Sequence, residues 1–153
     1  MTNPRRFTSI SLFAAVLLSG CAASTTRGRD PEFLTPFGPP TNPFSPAVRA
    51  GNLLFLAGQI GTDSTGNVVK GGVEAQTRQT MRNIAGVLAA TGSSMDRVVK
   101  CTVFMADMQE WPAMNVVYAT FFPAHKPARS AMGASGLARD ARVEIECIAM
   151  TGK

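Results

Sequence analysis

Hydrophobic and polar residues alternate most clearly near the end of the chain. Every second position is apolar in the series Val143, Ile145, Cys147 and Ala149, whereas the positions between them are mostly charged. Such alternation predicts a β-strand with one buried face and one charged face. Residues 129–135 are also strand-like, and the glycine-containing segment 136–140 follows them. The pattern therefore predicts that the last two strands form a hairpin with a long loop.

Two other segments repeat apolar residues every three or four positions, which predicts amphipathic helices. The first helix is expected over residues 73–91 and ends at Gly92. The second is expected over residues 112–122, with Pro112 in its first turn. Their predicted core positions are Val73, Thr77, Met81, Ile84 and Leu88 in the first helix, and Met114, Val117, Tyr118 and Phe121 in the second.

The remaining apolar runs complete a sheet. Two short runs around Gly51-Asn52 predict a hairpin, and residues 98–105 predict a single strand whose apolar face holds Val99, Cys101, Val103 and Met105. The order hairpin, helix, strand, helix, hairpin predicts an α+β domain in which two helices cover one face of one sheet. Its other face, which would be buried against further subunits, would hold Lys100, Thr102, Phe104, Glu144, Glu146 and Ile148.

The N-terminal region has a different character. Residues 1–20 contain Arg5-Arg6, a short apolar run and Leu18-Ser-Gly before Cys21, a pattern that resembles a bacterial lipoprotein signal peptide. The resemblance implies lipidation of Cys21 and an exported protein on the periplasmic face of a membrane. The outer membrane is favoured because Ala22, rather than Asp, follows Cys21. The alternative is an ordinary secretory signal. Residues 21–43 are rich in proline and predict an extended tether, and residues 44–153 predict the folded domain.

Charged residues on the last two strands are the candidate chemistry. Arg129 follows Lys126-Pro-Ala, and Glu144 and Glu146 lie on the charged face of the final strand. An arginine can bind a planar carboxylate through two hydrogen bonds, and a glutamate can activate water. Paired charges on a sheet are also commonly only cross-strand salt bridges. The residues alone leave both interpretations open.

Several segments, taken in order, resemble the RidA/YjgF family, which also carries the older label endoribonuclease L-PSP. The resemblance covers about residues 42–150. It rests on residues 47–60, Glu74-Ala-Gln-Thr-Arg78, Val98-Val-Lys-Cys-Thr-Val-Phe104, Asn115-Val-Val-Tyr118 before Phe121-Phe122, Lys126-Pro-Ala-Arg-Ser130 and Val143-Glu-Ile-Glu146. It implies a chorismate-mutase-like fold that assembles as a homotrimer, with a cleft between each pair of subunits.

The resemblance also implies an activity. Active members of the family hydrolyse enamine and imine intermediates, such as 2-iminopropanoate, to a 2-keto acid and ammonia, without metal or cofactor. Arg129 matches the family's carboxylate-binding arginine and Glu144 its catalytic glutamate. The implied substrate-binding positions are Gly58, Asn115, Ala131 and Phe44. Three positions depart from this pattern. Phe44 lies where many active members have tyrosine, Ala57 where they often have serine, and Ala131 where they often have cysteine.

Two other functions stay open. One is a non-catalytic module that binds a small carboxylate or acts like a chaperone. The other, ranked last, is an endoribonuclease. The net charge of +5 falls to +3 when residues 1–20 are left out, since 13 basic and 10 acidic residues remain. No basic run interleaves with aromatic residues, and His125 is the single histidine. Nucleic acid is therefore not expected as a partner.

Two cysteines besides Cys21 lie on predicted strands. Cys101 and Cys147 are both expected on the helix-facing side of the sheet. They can be buried thiols, which is a common state for cysteine, or a disulfide, which an oxidising compartment would allow. The strand register that decides between these two states cannot be read from the sequence.

Overall fold

The computed structural model describes residues 30–39 and 41–152. Within them the chain forms seven strands and two α-helices. In order along the chain these are β1 (Glu32–Leu34), β2 (Ala47–Ala50), β3 (Leu53–Leu56), β4 (Gln59–Ile60), α1 (Gly72–Ala90), β5 (Val98–Met105), α2 (Trp111–Thr120), β6 (Ala128–Gly133) and β7 (Val143–Met150).

The strands form one mixed sheet in the order β1-β2-β3-β7-β5-β6, and β4 also pairs with β7. All pairs are antiparallel except β5–β6. The apolar sides of α1 and α2 pack with the sheet into one core, which includes Met81, Ile84, Met114, Val103 and Ile145. The predicted α+β fold, with two helices on one face of a sheet, is confirmed.

Helix α1 lies very close to the sheet. The five residues predicted to face the core, Val73, Thr77, Met81, Ile84 and Leu88, are all buried. At Gly61 a Cβ atom would lie 2.8 Å from the Cα of Gln76 on the helix, so a side chain there would push the helix away. The Gln76 side chain then accepts a hydrogen bond of 2.8 Å from the backbone N–H of Arg142, just before β7.

The alternation predicted for the two central strands is largely present. In β7 the buried residues are Val143, Ile145, Cys147 and Ala149. In β5 the prediction is wrong at one position, because Val99 is 42% exposed and Val98 is buried instead. An irregularity in the ladder between Val98 and Lys100 shifts the register there. A bulge of this kind breaks the two-residue period on which the prediction depended.

The predicted closing hairpin is wrong. β6 pairs with β5 in parallel, and β5 lies between β6 and β7. Helix α2 supplies the crossover that a parallel pair of strands requires. Alternation along residues 128–133 identified a strand, but it carried no information about the partner strand.

Cys101 and Cys147 are directly opposite each other on β5 and β7 and form a disulfide. Both are essentially inaccessible to solvent, with 0% and 2% exposure. The disulfide therefore joins the two central strands inside the core, beneath the helices.

The sheet begins earlier than the proline-rich pattern suggested. β1, within the predicted tether, pairs with β2 at the edge of the sheet, and its Leu34 packs against the core. The signal peptide over residues 1–20, the lipidation site Cys21 and the first part of the tether lie outside the described residues. Among the described helices, none is long and apolar enough to cross a membrane.

The side of the sheet opposite the helices, here called the open face, is partly apolar. One row of opposed residues runs across six strands, formed by Phe33, Val48, Phe55, Ile148, Lys100 and Ala128. Phe33 is 71% exposed and Phe55 is 40% exposed. Large exposed apolar side chains in one continuous surface are typical of a face that binds another protein chain.

Candidate functional site

Arg129 lies beside α2 in an open groove of about 340 Å³, here called the arginine groove, lined by Asn115, Tyr118, Ala119, Lys126, Pro127 and Arg129. β6 holds Arg129 level with Cys101 and therefore on the helix-facing side of the sheet. Its guanidinium carbon is 4.7 Å from the centroid of the Tyr118 ring and 5.8 Å from that of Trp111. These rings restrict the guanidinium by cation–π attraction. Within the described residues Arg129 forms no ion pair.

The rest of the arginine groove also suits an anion. Asn115 precedes Tyr118 by one helical turn on α2, so the amide and the phenol ring share a side of the helix. Lys126 donates a hydrogen bond of 2.6 Å to the carbonyl of Phe122, which fixes its ammonium group after the helix. Two cations and an amide donor in one groove are a set of groups that suits a small carboxylate.

Tyr118 was predicted only as a core residue. It is 5% exposed, and its hydroxyl is buried without a hydrogen-bond partner. Burial raises the pKa of Tyr118 to about 12, although the nearby Arg129 cation acts in the opposite direction. Its position three residues after Asn115 was the available sign that this ring borders the site.

Glu144 lies in a second groove, of about 370 Å³ and here called the glutamate groove. Its lining includes Phe44, Gly58, Gln59, Arg139 and Glu144. β7 directs Glu144 to the open face, opposite to its buried neighbours Val143 and Ile145. A Cβ atom at Gly58 would lie 2.0 Å from the Oε1 atom of Glu144. The carboxylate therefore occupies space that only a glycine leaves open.

The two grooves are separate in one protomer. Arg129 and Glu144 lie on opposite faces of the sheet, with β5 between their strands, and the two groove linings share no residue. The structure therefore brings Asn115 together with Arg129, and Gly58 and Phe44 together with Glu144, but it does not bring the two groups together. A single chain therefore carries two separate grooves, here called candidate half-sites.

The three positions that depart from the family pattern lie in different parts of the structure. Phe44 is 53% exposed in the glutamate groove. Ala57 lines an adjacent groove that also contains Phe44. Ala131, two residues beyond Arg129, packs against the core and lines neither half-site. Among the described residues, no three histidine, cysteine or acidic side chains cluster as a metal site would require.

Comparison with known proteins decides the family. The family profile described as Endoribonuclease L-PSP matches residues 37–151, about three quarters of the chain. The chain belongs to the RidA/YjgF family. The match spans both half-sites and every element from β2 to β7.

Relatives within the RidA/YjgF family include proteins that carry an enzyme name. A RutC family protein of Pyrococcus horikoshii is 49% identical over 111 residues, which cover 72% of this chain and 88% of that protein. The 2-iminobutanoate/2-iminopropanoate deaminase of Mus musculus is 40% identical, over 72% of this chain and 82% of that protein. The crystal structure of E. coli TdcF with bound serine superimposes with a TM-score of 0.71 at 31% identity, over 78% of this chain and 98% of that one.

Proposed function

We propose that this protein hydrolyses 2-imino acids of the 2-iminopropanoate type to 2-keto acids and ammonia. The observation that carries the proposal is Arg129, which lies against two aromatic rings in an open groove without an ion-pair partner among the described residues. Relatives about 40% identical carry the name 2-iminobutanoate/2-iminopropanoate deaminase, and a small amino acid is bound in TdcF.

The active site proposed here forms between copies of the chain. A substrate held by Arg129 cannot reach Glu144 of the same protomer, because the two lie on opposite faces of the sheet. Packing of the open faces in a homotrimer would place the glutamate groove of one copy beside the arginine groove of its neighbour. The partly apolar open face supports such packing.

The proposed chemistry needs few groups because an imine carbon is already electrophilic. Arg129 binds and orients the substrate carboxylate. The substrate reacts as the protonated imine. Glu144 accepts a proton from water as the water oxygen bonds to the imine carbon, and the C=N π electrons move to nitrogen, which becomes a neutral amine. Glu144 then returns its proton to that nitrogen. As the C–N bond breaks and the C=O bond forms, the hydroxyl proton passes to Glu144, and ammonia leaves and carries this proton away as ammonium.

The proposed roles of Arg129 and Glu144 are separable by experiment. Glu144→Gln should retain affinity for pyruvate within a few fold, while its hydrolysis rate falls about 10²- to 10⁴-fold. Arg129→Ala should lose both, with affinity reduced about tenfold or more because a charged hydrogen-bonded pair is lost. The measurements are calorimetric titration with pyruvate and hydrolysis of imine generated by an amino-acid oxidase.

A matched control is Arg82→Gln, which removes an exposed cation on α1 outside both grooves. This variant should bind pyruvate and hydrolyse the imine as the natural protein does. If Arg129→Ala binds pyruvate as tightly as the natural protein does, the carboxylate-anchor role is wrong.

A non-catalytic carboxylate-binding module is the second candidate. The observation that favours it is Phe44, whose ring lines the glutamate groove without the hydroxyl that many active members have at this position. Loss of one neutral hydrogen bond corresponds to about 0.5–1.5 kcal/mol, which slows a reaction several fold without abolishing it. Pyruvate binding with no detectable imine hydrolysis by the natural protein would favour this candidate.

We further propose that the protein is an exported lipoprotein held in the membrane by a lipid on Cys21. The Leu18-Ser-Gly-Cys21 pattern supports it, and the Cys101–Cys147 disulfide agrees with an oxidising compartment. Metabolic labelling with a fatty acid should mark the protein, and the Cys21→Ala variant should stay unlabelled. Equal labelling of both proteins would contradict the proposal.

A further inference from the structure

The glutamate groove contains a cation that the proposed reaction does not use. Arg139 lies in the loop before β7 and lines the groove together with Glu144. These two are the only ionisable side chains in the lining of this groove. No carboxylate of the described chain lies within ion-pair distance of Arg139, so its charge is not neutralised by a fixed partner.

Arg139 is held in place by an unusual backbone and by a second loop. It has φ 56° and ψ 31°, and Asp140 follows with φ 53°. Two successive non-glycine residues in the left-handed region cost on the order of 1 kcal/mol or more each and persist only where their surroundings enforce them. The Nη1 group of Arg139 donates a hydrogen bond to the Gly66 carbonyl.

The loop that contains Gly66 has hydrogen bonds of its own. The Oδ1 atom of Asp63 accepts hydrogen bonds from the hydroxyl of Thr65 at 2.7 Å and from the backbone N–H groups of Thr65 and Asn67 at 2.9 and 3.0 Å. One N–H group of Arg139 donates its hydrogen bond to this loop. The other guanidinium donors remain available to the groove, since a guanidinium carries five N–H groups.

We propose that Arg139 selects substrates that carry a second acidic group, namely 2-imino dicarboxylic acids. This inference rests on the proposed function. With the 2-carboxylate on Arg129 of one copy and the imine carbon at Glu144 of the next, the substrate side chain extends into the glutamate groove. Arg139 is the cation there, and a guanidinium binds a carboxylate through two parallel hydrogen bonds. The substrates would then come from reactions that oxidise the amine of an amino dicarboxylic acid, or that eliminate a leaving group from its β-carbon to give the enamine.

The test compares a dicarboxylic with a monocarboxylic ligand in the full-length protein. Oxaloacetate and pyruvate, the keto acids of a dicarboxylic and a monocarboxylic imine, are titrated by calorimetry, and the two imines are compared in the hydrolysis assay. The natural protein should prefer the dicarboxylic ligand about two- to fivefold, the range for an ion pair at a solvent-exposed site. Arg139→Gln should remove the preference for the dicarboxylic ligand and leave pyruvate affinity unchanged. Arg139→Lys should retain part of the preference, and the control Arg82→Gln should retain all of it.

The outcomes separate this inference from the proposed function. If Arg139→Gln lowers the affinity for both ligands equally, Arg139 acts only by connecting two loops. The inference is then overturned, whereas the proposed deaminase activity is not affected. A natural protein that prefers pyruvate also overturns it. A natural protein that shows the dicarboxylate preference but hydrolyses neither imine would support the inference about binding and reject the proposed reaction.

Discussion

Tyr118 is the single tyrosine of the chain, so its ionisation can be followed without interference from another phenol. Because burial raises its pKa to about 12, phenolate absorbance should appear about two pH units above the usual midpoint near pH 10. Between these values the unfolded chain has lost the phenol proton and the folded chain keeps it. The free energy of unfolding should therefore fall as the pH rises from about 10 to about 12.

The matched variant for this prediction is Tyr118→Phe. It should lose less stability over the same pH interval in denaturant unfolding. At neutral pH it should be at least as stable as the natural protein, because the hydroxyl that it removes is buried without a partner. A phenolate midpoint near pH 10 in the folded protein would contradict the buried position of this ring.

Gly58 gives a second prediction at the level of one residue. In Gly58→Ala the new methyl group would lie 2.0 Å from the Glu144 carboxylate, which must move away. Imine hydrolysis should fall about 10²-fold or more, since misplacing a catalytic group by about 1 Å has effects of this size. Pyruvate affinity should change little, because Arg129 is in the other groove.

The control is Gly86→Ala on α1, where a Cβ atom would meet nothing within 4 Å. It should leave hydrolysis unchanged and stabilise the helix by about 0.5–1 kcal/mol. If Gly58→Ala hydrolyses imines at the natural rate, Glu144 does not act from the position that the structure shows.

Residues that line the two grooves could be named from the sequence and its family resemblance, but their arrangement could not be. Arg129, Glu144, Asn115 and Gly58 all lie in one of the two grooves. Their division between opposite faces follows from the position of β5 between β6 and β7, and local alternation does not encode strand order. Hydrophobic periodicity could not identify Arg139, because this residue lies in a loop. The loop contacts Gly66, which is 73 residues away in the sequence.

Elements with a strong internal period were predicted well, and elements defined by long-range contacts were not. The core positions predicted for α1 and the alternating apolar positions predicted for β7 are all buried in the structure. β1 was missed because three residues cannot establish a period, and it is a strand only because β2 pairs with it. The choice between two thiols and a disulfide likewise depended on the register that places Cys101 opposite Cys147.

That disulfide leads to a prediction about the β5–β7 pair. It closes a loop of 46 residues, and replacing both cysteines by alanine should lower the free energy of unfolding by about 2–4 kcal/mol. Denaturant unfolding measures the difference. A reducing agent should destabilise the natural protein by a similar amount and should not affect the double variant. Two reactive thiols in the unreduced, denatured protein would contradict the bond.

For the whole molecule, we expect a homotrimer in which the open faces are buried. Light scattering should give three times the mass of the chain. Ile148→Glu, at the middle of the open-face row, should dissociate the assembly and abolish imine hydrolysis, because a charge would enter the interface and the half-sites would separate. Val116→Glu on α2, where the valine is 69% exposed, should change neither. A monomeric mass at micromolar concentration would contradict the assembly.

The position of β7 also determines when the chain can fold. This last strand pairs with β3, β4 and β5 and so joins the two halves of the sheet. During synthesis residues 143–150 follow every other described strand, so β3 and β5 lack the neighbour that joins them until residues 143–150 have left the ribosome. The sheet therefore cannot close while only the strands up to β6 have emerged.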